Sequence, residues 1–250
     1  MSIQLFALQR PGLPEDGPLT PSLRAMSAAG PGGEPLAPLG AEVAQRVDGL
    51  GVRVAFLPTG GSGVTPWRKR IALDRTYQGA GQTQPPSRVA LVAHELTHLL
   101  QRELNDPTYW PSGGLVLSLG RRVLGDSTNY MEALAYAVGW SVEYDLRLAS
   151  GEPQVNLNAL EDRLATVAAA DAANAARYVV SLFPQNGVYR SNYAFEKNQP
   201  DGRIPPGGWR HWMGEMGFVA ASLDHLAGLA ARGTAQVVTP QTLESILGQG

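Results

Sequence analysis

Five consecutive residues have the types and spacing to do chemistry together. His94-Glu95-Leu96-Thr97-His98 stands inside the run VALVAHELTHLLQREL. On a helix, side chains four apart are neighbours on one face, so His94 and His98 can hold one metal ion between them. Glu95 projects beside the pair, where a carboxylate can take a proton from a water that the ion has acidified. The plainer alternative is a helix carrying two satisfied surface histidines. The chain has only four histidines, the others being His211 and His225, and two of the four fall at this spacing.

The surrounding residues supply the helix. Ser87 follows Pro85-Pro86 and can cap its N-terminus. Val89, Val92, Ala93, Leu96, Leu99 and Leu100 make an apolar stripe at helical spacing. That stripe should bury one side and leave the histidine side free to line a cleft.

Two histidines leave a tetrahedral zinc ion short of ligands. A catalytic site adds a third protein ligand and keeps one position for water. The continuation HExxHxxGxxH is absent, because Gln101 and Leu104 stand where it needs Gly and His. The third ligand must lie further along. Glu132 suits best: it opens a second long helix, Asp126 to Ala149, kept slim by Ala133, Ala135 and Ala137. Its alternative role is a capping box with Asn129; Thr128 is another candidate cap. Competing ligands are Glu103, Asp106, Asp126, Glu143 and His211. Glu143 shares a helix face with Glu132 but is about 16 Å further along the axis, so both cannot bind one ion.

HExxH at 94–98, followed by Glu132-Ala133-Leu134-Ala135-Tyr136-Ala137 on a later helix, resembles the gluzincin metallopeptidases. The compact spacing is most similar to the small minigluzincin type, over roughly residues 40–149. The resemblance implies that His94, His98 and Glu132 hold Zn2+ and that Glu95 is the general base. It also implies that the strand at Ile71–Asp74 is an edge strand along the cleft, pairing with an extended peptide.

The implied fold is α+β and mostly helical: a zincin-like core with a small N-terminal β-sheet, the metal helix and the Glu-bearing helix, plus a helical C-terminal region. Residues 1–38 are crowded with Pro and Gly and read as an extended arm. Residues 39–150 form the metallopeptidase core. Within it, Gly40–Leu50 reads as a helix, and Val52–Leu57 and Arg70–Asp74 as strands, separated by a Gly-rich turn. Residues 105–125 read as a loop. Residues 151–250 complete the cleft: a helix from Asn156 to Leu182, a long polar loop over 184–208, a helix from Trp209 to Ala231 and a short one over 239–247.

Composition narrows the function. Net charge is −2, which offers no basic footprint for nucleic acid and no polybasic patch for a membrane. The chain contains no cysteine, which excludes disulfides and Cys-ligated zinc. The opening MSIQLFALQRPG lacks a basic n-region and a long apolar core, and no apolar run reaches the roughly 20 residues of a membrane helix. The expected location is cytoplasmic.

The expected activity is zinc-dependent hydrolysis of peptide bonds in a peptide or protein substrate, with Glu95 moving the proton. A second donor should face the oxyanion. The candidates are His211, Tyr193, Tyr189, Arg210 and Tyr136; His211, which opens the helix after the long loop, is the choice. Beside Trp209 and Trp212 it could equally be a surface histidine. His225, on an Ala/Leu-rich face, reads as structural. Two alternatives stand: a non-catalytic, metal-stabilised helical binding or regulatory module, and a hydrolase acting on a non-peptide amide.

Overall fold

The structure, a computed structural model, describes residues 19–48, 50–58, 63–67, 70–77, 84–103, 129–197, 213–214 and 216–249. Three strands form one sheet: β1 (Arg53–Leu57), β2 (Gly63–Trp67) and β3 (Arg70–Asp74). Their order is β1-β3-β2. β3 runs parallel to β1, with Ile71 opposite Val54, and antiparallel to β2, with Ala72 opposite Val64.

This order corrects one expectation. Ile71–Asp74 is not an edge strand. β3 is bonded on both sides, and Ile71, Ala72 and Leu73 are all buried. A near-continuous apolar strand is the pattern of a sheet covered on both faces, and the central position follows from it. β2 is an addition. Its GVTPW contains Pro66, which cannot donate to a ladder and is tolerated in a sheet only at a margin such as this.

The helices are α1 (Thr20–Met26), α2 (Pro38–Val47), α3 (Pro86–Glu103), α4 (Asn129–Ala149), α5 (Gln154–Ala169), α6 (Ala172–Leu182), α7 (Gly187–Glu196), α8 (Ala220–Ala230) and α9 (Pro240–Gly248). The chain is thus mostly helical with a small sheet. α4 is the hub, with α2, α3, α5, α6 and α7 packed on it. One hydrophobic cluster runs from Leu23 through Ile71, Leu96, Leu134 and Val179 to Leu226 and Leu243. Among the described residues, no helix is long and apolar enough to cross a membrane.

Four segments depart from the sequence reading. Residues 19–38 do not form an extended arm. Leu19, Leu23 and Met26 enter the core from α1, and the Gly-rich stretch turns back through a bridge between Ala29 and Pro35. Pro21 and Pro38 lie in the first turns of α1 and α2, where the missing N–H has no partner to lose. Two of the prolines that suggested an arm, Pro21 and Pro38, are helix starters. Residues 1–18 lie outside the described residues.

The expected single helix over 156–182 is two. Asp171 interrupts it: its side chain accepts from the Asn174 N–H at 2.7 Å and starts α6. The expected loop after Pro184 contains α7. Asn186 accepts from the N–H groups of Val188 and Tyr189 at 3.0 and 3.2 Å, and Tyr189 and Tyr193, four apart, form the buried stripe. The expected helix from Trp209 to Ala231 is broken by a turn at Gly217, φ +71, and α8 starts at Ala220; residues 209–212 lie outside the described residues. The expected loop over 105–125 lies outside the described residues.

Candidate metal centre

α3 is built as its pattern requires. Val89, Val92, Ala93, Leu96, Leu99 and Leu100 are all buried. The helix begins at Pro86, so Ser87 sits within its first turn. The histidine side is covered as well: His94 is 7 %, Glu95 2 % and His98 8 % exposed. The site is therefore buried rather than set along an open helix face.

The side chains converge there. His98 Nε2 lies 3.1 Å from His94 Nε2. Glu132, in the first turn of α4, places Oε2 3.3 Å from His94 Nε2 and Oε1 3.4 Å from His98 Nε2. A tetrahedral ion with bonds of about 2.0–2.2 Å keeps its ligand atoms about 3.3–3.6 Å apart. The two His–Glu separations fit such an ion, and the 3.1 Å between the histidines is slightly shorter. Among the described residues, His94, His98 and Glu132 are the group of three whose donor atoms meet closely enough to hold a metal.

The charges agree with the geometry. Burial alone would lower the His98 pKa, but the Glu132 carboxylate and its hydrogen bond outweigh that and raise it to about 9. Burial alone would raise the Glu132 carboxyl; the His98 charge and hydrogen bonds from both histidines hold it well below the usual carboxylate range. The cluster is an anionic pocket with imidazole walls, a setting that attracts a cation. Glu95 adds a further carboxylate, and its charge raises the pKa values of both His98 and Tyr136.

Two tyrosines complete the surroundings. Tyr189, from α7, donates to Glu132 Oε2 at 3.2 Å. Its oxygen lies 2.9 Å from the Tyr136 hydroxyl. The Tyr136 ring packs edge-on against His94, 4.5 Å between centroids. Burial pushes Tyr136 up to about 12, and burial with the Glu132 charge pushes Tyr189 well above its usual value. Both hydroxyls therefore keep their protons at neutral pH and can donate.

Glu132 does not take the capping role. The Asn129 N–H is met by Glu196 Oε1 at 2.6 Å, while the Asn129 amide donates to the Tyr189 carbonyl at 2.8 Å. α7 caps α4, which leaves Glu132 free to face the histidines. Glu143 is engaged elsewhere, paired with Arg147 at 2.6 Å. His225 Nε2 lies 3.0 and 3.1 Å from the two Asp145 oxygens, tying α8 to α4. Tyr193 lies one turn beyond Tyr189, with Lys197 Nζ 5.6 Å from its ring centroid. His211, Arg210, Asp106 and Asp126 lie outside the described residues, as does the Glu103 side chain.

Sequence reasoning used Gln101 only to exclude a longer motif. In the structure it is fully buried, with its amide on His98. The signal was present: position 101 is three after His98, on the same helix face. No protein-family model, curated protein or solved structure matches this chain.

Proposed function

We propose that the protein is a zinc-dependent peptidase, with zinc held by His94, His98 and Glu132. The observation that carries this is the meeting of two imidazoles and a carboxylate within 4.8 Å of one another, with the Glu95 carboxylate buried alongside. Zinc, when bound, supplies Lewis acidity that acidifies a water and polarises a carbonyl. Glu95 is the base that accepts the proton from the attacking water and returns it to the leaving amine. Tyr189 holds Glu132 in place, and Tyr136 supports Tyr189. Either hydroxyl can turn to an oxyanion, the role assigned on sequence to His211. A structural zinc site has no use for a carboxylate in the Glu95 position, which favours catalysis over pure stabilisation.

The depth of the cluster favours the second reading, a metal-stabilised binding or regulatory module, because an extended peptide must reach side chains that are less than a tenth exposed. Glu95→Gln separates the two. Under the peptidase reading the variant retains zinc by elemental analysis and loses all cleavage of a random peptide library that the parent cleaves. A parent that holds no zinc, or a variant that cleaves as fast as the parent, sinks the proposal. A parent that holds zinc and cleaves no peptide overturns the peptidase reading and favours the module.

A further inference from the structure

Gln101 is a fully buried amide at the junction of α3 and α4. Burying an amide is unfavourable unless both ends are hydrogen-bonded. Here both are: Gln101 Nε2 donates to the Met131 carbonyl at 3.2 Å, and Oε1 lies 2.9 Å from His98 Nδ1.

The chemistry of these partners fixes the direction of each bond. A main-chain carbonyl only accepts, so the amide nitrogen must face Met131. That leaves the amide oxygen, which also only accepts, against His98. His98 Nδ1 must then carry a hydrogen. In a neutral imidazole one nitrogen donates and the other has a lone pair. Once the ring is neutral, as a metal ion requires, the lone pair therefore sits on Nε2, the atom that faces His94 and Glu132.

We infer that Gln101 is a positioning residue of the metal centre: it keeps the hydrogen of a neutral His98 on Nδ1, so that Nε2 is the nitrogen left for an ion, and ties α3 to the peptide unit preceding Glu132. The inference rests on reading the cluster as a metal centre. One side chain thus serves two ligands from different helices. It orients the ring of His98 directly. It sets the start of α4, and with it Glu132, through Met131. Outer partners of this kind govern metal affinity because a ring held in the wrong tautomer presents a hydrogen to the ion. A residue that merely fills the core would leave the protonation of His98 unaffected.

The test compares the parent with Q101M, which keeps the shape and loses both hydrogen bonds, and Q101E, which keeps the acceptor for Nδ1–H and loses the donor to Met131. Zinc affinity is measured by competition with a chromophoric chelator, and His98 is followed by 1H–15N NMR. The parent is expected to show a slowly exchanging His98 Nδ1–H. Q101M should lose that resonance and bind zinc about 10–100-fold more weakly. Q101E should regain the resonance and part of the affinity. Zinc binding by Q101M as tight as the parent's overturns the role of Gln101 alone; a parent that binds no zinc overturns the metal-centre reading beneath it. Should Q101M not fold, the zinc-loaded parent still decides: a hydrogen on His98 Nε2 instead of Nδ1 refutes the inference.

Discussion

His98 and Glu132 face each other across 3.4 Å in a buried setting, so in metal-free protein their protons bear on stability. The folded His98 titrates at about 9, above the ordinary 6.5. Its contribution is fully present below pH 6.5 and is lost as pH rises through 9. Glu132 is depressed below its ordinary 4.5, so its contribution is present above pH 4.5 and fades as pH falls below that. The pair therefore stabilises most between about pH 4.5 and 6.5. Thermal unfolding of metal-free protein should show Tm falling from pH 6.5 to 9, and Glu132→Gln should flatten that slope. Zinc affinity should run the other way and rise over the same interval, because the ion displaces the His98 proton. A metal-free Tm constant from pH 6.5 to 9 would contradict the ion pair.

At the scale of elements, the centre depends on how closely α3 and α4 approach. The sequence suggested that Ala133, Ala135 and Ala137 keep α4 slim, and all three are buried. Gly139 makes a close approach of its own. A Cβ there would sit 3.0 Å from the Ala90 carbonyl oxygen and 3.6 Å from His94 Cβ. Backbone cannot move aside as a side-chain tip can. Gly139→Ala should therefore push the helices apart, destabilise the fold by about 1–3 kcal/mol and lower Tm by roughly 2–4 °C for each kcal/mol in a chain of this size. Zinc affinity should fall with it, since His94 moves away from Glu132. Gly139→Ala with parental Tm and parental affinity would show that the contact has room to give. α7 matters at the same scale: Glu196 takes over the cap of α4 and Tyr189 reaches Glu132, so a segment that read as loop supports the proposed third ligand.

For the molecule as a whole, a bound ion would join the two helices at the middle of the core. Anything that binds only the folded state stabilises it by mass action, about 4.1 kcal/mol at a thousand times Kd. Differential scanning calorimetry should show the zinc-loaded parent melting at least several degrees above the chelator-treated protein. His94→Ala should show almost no difference between the two conditions. Equal Tm values for loaded and stripped parent would exclude a zinc site in this place.

Much of the site was legible in the chain itself. His94, Glu95 and His98 are local, and helix geometry alone sets their spacing. The stripe from Val89 to Leu100 is periodic, so burial on one side followed directly. Glu132 was reachable because it opens a strongly helical run. What the sequence could not determine is what meets what. Gln101 lies on the metal helix, yet its role depends on the Met131 carbonyl arriving from α4. Glu132 had two local futures, cap or ligand, and Glu196, 64 residues further on, takes the cap's place at the Asn129 N–H. The central place of β3 needed β2, whose Pro66 hides a margin strand. Local chemistry writes spacing and propensity into neighbouring residues; partnership across distant segments is decided only when the core closes and each buried polar group must find its complement.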